Sequence, residues 1–153
     1  MESVIKLGIV VAEFNWQITG KMLDQALRRA TELKANTTYV CKVPGAYDMP
    51  LMVRTLLEKD DVDAVVTLGA IVKGETGHDE VIANVLASKA SDLSLQWKKP
   101  VTLGVSGPSM TLEQASARAE EYANRGVESA VRMVRLSKEI ENSDKKIYTV
   151  GLE

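Results

Sequence analysis

The segment KGETGHDE, residues 73–80, contains the only histidine of the chain, His78. A loop of this kind can bind an anion, because Gly74 leaves the backbone open, Thr76 adds a hydroxyl donor and the helix start that follows presents unpaired N–H groups. A neutral imidazole beside such a loop could transfer protons. Two simpler interpretations stay open, namely an ordinary capped turn and a surface histidine without a chemical role.

Two other kinds of site are not indicated by this loop. It lacks the Gly-Lys-Ser/Thr ending of nucleotide-binding phosphate loops and the Gly-x-Gly-x-x-Gly fingerprint of dinucleotide-binding folds, so no nucleotide or other cofactor is implied. With one histidine and one cysteine in the chain, no metal site and no internal disulfide are predicted. Cys41 reads as a small buried residue of a strand in a reducing compartment.

Further residues could contact a ligand. Phe14, the only phenylalanine, lies in the segment EFN, where its ring could stack on a flat heterocycle with Asn15 nearby, or pack on its own helix. Tyr47 and Asp48 offer a donor and a carboxylate to a ligand rich in hydroxyl groups, and Asp48 is also a candidate helix N-cap. Arg118 is either a ligand-binding cation or an ordinary surface charge.

Apolar runs and helical patterns alternate along the chain. The predicted strands are KLGIVVAEF, TTYVCKV, DAVVTLGAIV and PVTLGVSG, residues 6–14, 37–43, 63–72 and 100–107. Helical segments separate them, with Asn36 as the stop of the first helix and Gly126 as an interruption near the C-terminus. The alternation predicts an α/β three-layer sandwich, in which a four-stranded parallel, flavodoxin-like sheet of order 2-1-3-4 carries helices on both faces.

The helix predicted over residues 79–97 should bury one apolar stripe. That stripe consists of Val81, Ile82, Val85, Leu86, Ala90, Leu93 and Trp97. In open parallel sheets, ligands bind outside the carboxyl ends of the strands. The segments EFN, PGAYD, KGETGHDE and SGPSM follow the four predicted strands, so we expect them to form loops along one edge.

Composition narrows the class of protein. The 153 residues are 45% hydrophobic and 26% charged, with a net charge of −2, and no basic stripe indicates nucleic acid. No apolar run is long enough to span a membrane, and the first residues lack the pattern of a signal peptide, so a cytoplasmic location is expected. The length fits one domain over residues 1–153, with 141–153 as a possible tail.

Five segments together resemble the lumazine synthase family. They are VVAEFNWQIT, VPGAYDMPL, TLGAIVKGETGHDEV, KPVTLGVSGPSMTLEQASARA and NRGVESA, which occur in the order of the family's motifs and span nearly the whole chain. The resemblance implies an enzyme of riboflavin biosynthesis. It would condense 5-amino-6-(D-ribitylamino)uracil with 3,4-dihydroxy-2-butanone 4-phosphate and release 6,7-dimethyl-8-ribityllumazine, phosphate and water.

The resemblance also implies roles for single residues. His78 matches the proton-transfer histidine, and Phe14 matches the residue that stacks on the pyrimidine, next to Asn15. The other substrate contacts are the ribityl-binding Ala46, Tyr47 and Asp48, the heterocycle-lining Ala70, Ile71 and Val72, the phosphate-side Gly74, Glu75 and Thr76, and Leu103, Arg118 and Arg125. Leu103 and Arg118 would come from an adjacent subunit, because family sites lie between neighbours in a pentamer, which often closes into an icosahedral shell.

Four positions depart from the bacterial pattern and resemble archaeal members. Asp79 stands where an aromatic residue is usual, Asp48 replaces a glutamate, Leu103 replaces a phenylalanine of some members, and SGPSM replaces a segment with paired threonines. Two alternatives stay open, namely a related archaeal riboflavin synthase and a non-catalytic shell protein that binds lumazine or flavin. The joint presence of Thr76, His78 and Arg118 argues against the non-catalytic alternative.

Overall fold

The computed structural model describes residues 3–144 and residue 151. The elements are β1 (Lys6–Ala12), α1 (Trp16–Glu32), β2 (Asn36–Val43), a 3-10 helix (Ala46–Asp48), α2 (Met49–Leu57), β3 (Ala64–Val72), α3 (His78–Trp97), β4 (Val101–Met110), α4 (Leu112–Ala117) and α5 (Ala119–Glu141). The four strands are parallel and lie in the order β2-β1-β3-β4. The predicted sheet order is therefore confirmed.

The sheet separates two apolar cores. In one core, α1, α4 and α5 pack on residues such as Ile9, Val66 and Leu68 of the central strands. In the other core, α2 and α3 pack on Val10 and Val65. Because β1 and β3 are covered on both faces, both read as continuous apolar runs rather than alternating ones. The three-layer sandwich is confirmed.

Two helix boundaries differ from the prediction. Helix α1 ends at Glu32, and Asn36 begins β2 instead of stopping the helix. The chain turns at Lys34, which has a left-handed φ of 60°. Gly126 does not interrupt a helix either, because it lies inside α5. The interruption falls at Arg118, the single residue between α4 and α5.

Gly126 has a packing role that explains its presence. A Cβ at this position would lie 3.0 Å from Val66 Cγ1 and 3.3 Å from the backbone of Gly104. The hydroxyl of Thr102 also donates a hydrogen bond of 2.8 Å to the carbonyl of Gly126. Glycine thus allows α5 to approach β4 closely, and this tertiary contact outweighs its low helix propensity.

Three further predictions need correction or fall outside the described residues. The segment SGPSM is not a loop, because it continues β4, where Met110 pairs with Val72. Val81 does not belong to the buried stripe, since its side chain is 58% exposed. Of the possible tail 141–153, α5 includes Glu141, and residues 145–150, 152 and 153 lie outside the described residues. Over the described part of the chain, none of the helices is long and apolar enough to cross a membrane.

Candidate active site

The carboxyl ends of the four strands lie side by side, and hydrogen bonds join each one to the next. The N–H of Phe14 donates to Pro44 O at 3.0 Å, which joins the segments after β1 and β2. Asn15 Nδ2 donates to Ala70 O at 2.9 Å, which joins the loop after β1 to β3. The N–H of Lys73 donates to Met110 O at 2.8 Å, which joins β3 to β4. The edge predicted from the sequence is thus formed.

The loop after β1 presents an aromatic ring at this edge. Asn15 has a left-handed backbone with φ 63° and ψ 43°, and its carbonyl accepts hydrogen bonds from the N–H groups of Ile18 and Thr19 at the start of α1. This turn leaves the ring of Phe14 72% exposed. The ring is therefore available to a flat ligand and is not buried on its own helix.

The segment after β2 forms a short turn beside the same edge. Ala46, Tyr47 and Asp48 make up the 3-10 helix, which contacts β3 and α3. The Tyr47 ring is 66% exposed, while Asp48 Oδ2 accepts a hydrogen bond of 3.0 Å from Gly45 N. Asp48 occupies the predicted N-cap position of α2, but its carboxylate closes the preceding turn instead of bonding to an N–H group of α2. The hydrogen bond to Gly45 uses Oδ2. Among the described residues, no hydrogen bond to Asp48 Oδ1 is found, so this oxygen is available to a ligand.

The end of β3 changes from buried to open within a few residues. Ala70 and Ile71 are buried and Val72 is half-buried, whereas every residue over 73–78 is exposed. A Cβ at Gly74 would meet no atom within 4 Å, so an anion could approach the backbone there. Glu75 and Thr76 complete the exposed loop.

His78 is the first residue of α3, which extends over 20 residues. Its N–H lies 3.4 Å from Thr76 Oγ1, a long hydrogen bond that holds the loop at the start of the helix. The aligned peptide dipoles of such a helix place about half a positive charge at its N-terminus. The only histidine therefore lies at a helix N-terminus beside the exposed loop, and anion binding there stays a prediction.

Among the described residues, no hydrogen bond or ion pair joins Arg118 to this loop. Arg118 is exposed at the junction of α4 and α5, in the layer that packs through Ala115 and Ala119 on the α1 side of the sheet. Helix α3 packs through Leu86 on the opposite side. The sheet thus separates the layer of Arg118 from that of His78.

Two other predicted contacts have their described neighbours outside residues 73–78. Arg125 is in α5, where its Nη2 lies 2.7 Å from Glu121 Oε1, one helical turn earlier. Leu103 lies on β4, 43% exposed, on the α3 side of the sheet. It lines an open groove of about 140 Å³ together with Ile71, Asn84 and Pro108.

Sequence reasoning missed two contacts that shape the site. The sequence predicts Asn15 only as a ligand contact, but its side-chain amide fixes the loop to Ala70. The sequence marks Asp79 only as a departure from an aromatic residue, yet its buried carboxylate accepts a hydrogen bond from Ser109 N at 2.9 Å. The aspartate at a position that is usually aromatic is a signal of a special role. The sequence does not identify its partner, because Ser109 lies 30 positions away.

Comparison with known proteins identifies the family of the chain. The model of the family described as 6,7-dimethyl-8-ribityllumazine synthase matches residues 4–138. The chain belongs to the lumazine synthase family. The motifs resembling lumazine synthases therefore predicted the family correctly, and Phe14, Tyr47 and His78 all lie within the matched region.

Similar members of the lumazine synthase family come from archaea. The protein named 6,7-dimethyl-8-ribityllumazine synthase in Metallosphaera sedula is 60% identical over 134 residues, which cover 88% of this chain and 89% of that relative. Proteins of the same name in Saccharolobus islandicus and Saccharolobus solfataricus are 55% and 51% identical over 152 residues, covering 99% of each chain. The predicted archaeal character is thus confirmed.

Proposed function

We propose that the protein is the 6,7-dimethyl-8-ribityllumazine synthase of riboflavin biosynthesis, a transferase. It condenses 5-amino-6-(D-ribitylamino)uracil with 3,4-dihydroxy-2-butanone 4-phosphate, and it releases the lumazine, phosphate and water. The observation that supports this function best is the single edge at which an exposed ring, a polar turn and an anion-binding helix start meet. Phe14, Tyr47 and His78 represent these three parts.

Each part of the edge suits one part of the substrates. The pyrimidine stacks on Phe14 and lies against Ala70, Ile71 and Val72. The ribityl chain reaches the turn of Ala46, Tyr47 and Asp48, where a phenol and a carboxylate can bind its hydroxyl groups. The phosphate lies at the start of α3, at Gly74, Glu75 and Thr76, where backbone N–H groups and the helix dipole favour an anion.

His78 lies next to the phosphate and can move protons between the two substrates. The 5-amino group of the pyrimidine attacks the carbonyl carbon of the butanone, and water leaves as the imine forms. Phosphate is then eliminated, and the second amine closes the ring with loss of water. Proton transfers accompany each of these steps, and an imidazole can both accept and donate the protons.

A phosphate dianion calls for a cation in addition to the helix start. Lys73 precedes the loop, at the point where its backbone is bonded to Met110. We assign the missing cation to Arg118 of a neighbouring subunit, since Arg118 lies in the opposite layer of its own chain. Leu103, which is exposed on β4, would also contact the site of a neighbouring subunit, and Arg125 would contact substrate after leaving its ion pair with Glu121.

An oligomer follows from this assignment, either a pentamer or an icosahedral shell built from pentamers. Exposed apolar side chains on the α2 and α3 layer support it, because Leu51, Val81 and Leu95 are 68%, 58% and 80% exposed. We further propose that residues 1–153 form one domain, with the residues that follow α5 as a tail, and that the protein acts in the cytoplasm.

One assay tests the proposed function. Purified protein is given both substrates, and the lumazine is followed by its absorbance. Appearance of the lumazine well above the uncatalysed rate is expected. A second reaction with the lumazine alone tests for riboflavin synthase, which would convert it to riboflavin. A non-catalytic shell protein would bind the lumazine but would not form it from the two substrates. Sedimentation analysis of the same preparation distinguishes a pentamer from a closed shell.

A further inference from the structure

The last residues of β4 have an unusual backbone, which other parts of the protein must hold in place. We call residues 107–110 the 107–110 segment. Within it, Gly107 and Ser109 have positive φ angles of 101° and 61°. Only glycine fits at position 107, because a Cβ would collide with the carbonyl oxygen of Ile71. Ser109 has a side chain and still adopts the left-handed region, which is unfavourable for residues other than glycine. Such a conformation persists where surrounding contacts fix it.

Asp79 provides one of these contacts. Its Oδ2 accepts a hydrogen bond of 2.9 Å from the N–H of Ser109, and the residue is only 6% exposed. Asp79 directly follows His78 in the first turn of α3. A buried carboxylate requires hydrogen-bond partners, and the N-terminus of a helix also favours its negative charge. The start of α3 and the 107–110 segment are therefore joined through one side chain.

The 107–110 segment is also joined, through backbone, to the residue that follows β3. Lys73 N donates to Met110 O at 2.8 Å, on the other side of the exposed loop over residues 74–77. The loop is thus bounded at both ends by contacts to the 107–110 segment. Of these two contacts, only the one from Asp79 depends on a side chain, so it can be removed by substitution.

We propose that Asp79 is a positioning residue, which fixes the start of α3, with His78 and the anion-binding loop, against the 107–110 segment. The inference rests on the proposed function, because it names the substrate whose binding depends on this contact. That substrate is the butanone phosphate, which we place at the start of α3. The pyrimidine contacts of Phe14 and Tyr47 come from the loops after β1 and β2.

Three variants separate positioning from charge and from general stability. Asp79→Ala removes the acceptor, whereas Asp79→Asn removes only the charge and keeps an oxygen for Ser109 N–H. Glu80→Ala is the matched control, because Glu80 is an exposed acid in the same first turn of α3. A substrate-selective loss that Asn rescues would identify the hydrogen bond as the cause.

Steady-state kinetics on the intact assembly gives the first result. For Asp79→Ala we expect the KM for the butanone phosphate to rise about tenfold, with the KM for the pyrimidine within about twofold, because small misplacements of binding groups are costly. Asp79→Asn and Glu80→Ala should stay close to wild type. The proposal is overturned if both KM values rise together, if neither changes, or if Asn behaves as Ala does.

Hydrogen–deuterium exchange gives a second result that does not depend on activity. Asp79→Ala should speed exchange in the peptide that contains Ser109, and Asp79→Asn should preserve the protection seen in wild type. Unchanged exchange in Asp79→Ala overturns the proposal. An inactive wild-type enzyme would instead count against the proposed function, so the two failures can be told apart.

Discussion

The side-chain amide of Asn15 donates a hydrogen bond to the carbonyl oxygen of Ala70, across 2.9 Å and 55 positions of sequence. It joins the loop that presents Phe14 to the strand that leads to His78. Both halves of the proposed site, the stacking ring and the anion-binding loop, are therefore held in one frame. The residue that makes the link also has a left-handed backbone, so two separate properties of asparagine are used at this position.

Asn15→Ala should lower the free energy of unfolding by about 2 kcal/mol. Loss of the hydrogen bond contributes about 1 kcal/mol, and the strain of alanine in a left-handed backbone contributes about 1 kcal/mol. Asn15→Gly is the matched variant, because glycine loses the hydrogen bond but tolerates the backbone. It should lie between Ala and wild type in chemical denaturation at one fixed protein concentration. Equal losses for Ala and Gly would show that the backbone conformation has no cost here.

Phe14→Ala should weaken the binding of a substrate analogue by roughly 1–3 kcal/mol, as loss of stacking between an aromatic ring and a base does elsewhere. Phe14→Trp should retain binding. Because the ring is 72% exposed, neither change should alter the melting temperature by more than a degree or two. Calorimetric titration gives the affinity, and a large fall in melting temperature for Phe14→Ala would assign the ring to packing instead.

Features that follow from local sequence patterns could be predicted, whereas features that depend on contacts between distant residues could not. The apolar runs of β1 and β3 have the length and composition of buried parallel strands, so the sheet order could be predicted. The role of Gly126 could not be predicted from apolar periodicity. Glycine is needed there because α5 packs closely on Val66 and Gly104, which are distant in sequence. The same holds for Asp79, whose partner Ser109 could not be identified before the fold was known.

The two glycines between β4 and α5 allow a graded prediction. A Cβ at Gly104 would lie 2.8 Å from Thr67 O, whereas one at Gly126 would lie 3.0 Å from a side-chain atom of Val66. Overpacking costs about 1–3 kcal/mol, and alanine regains about 1 kcal/mol of helix propensity at position 126 only. Gly104→Ala should therefore destabilise the protein more than Gly126→Ala.

Chemical denaturation measures this order. The control is Ser129→Ala, an exposed position of the same helix α5, which should stay within about 0.5 kcal/mol of wild type. A Gly126→Ala variant more stable than wild type would mean that α5 can move away from the sheet without cost.

His78→Ala should assemble as wild type does and slow turnover by about a hundredfold. General acid–base groups contribute roughly 10²–10⁴ in rate, and the low end applies because part of this condensation proceeds without catalysis. The side chain is exposed, so its removal leaves no cavity in the core. Single-turnover absorbance measurements give the rate, and a variant as fast as wild type would remove His78 from the mechanism.

Arg118→Ser should raise the KM for the butanone phosphate much more than that for the pyrimidine. Hydrogen bonds to charged groups are worth about 1.5–3 kcal/mol, which corresponds to a rise of roughly tenfold to a hundredfold. Steady-state kinetics with each substrate varied in turn measures both constants. An unchanged affinity for the phosphate substrate would show that Arg118 is an ordinary surface charge.

Mixing the two variants tests whether Arg118 acts on a neighbour's site. If each site takes His78 from one subunit and Arg118 from the next, random co-assembly of His78→Ala and Arg118→Ser in equal amounts leaves about a quarter of the sites with both native residues, as expected for a head-to-tail ring. The mixture should then exceed the summed activity of the two variants. If both residues served the site of their own chain, no mixed assembly would contain an intact site, and no gain would appear. Because the sheet separates the two layers within one chain, we expect the gain.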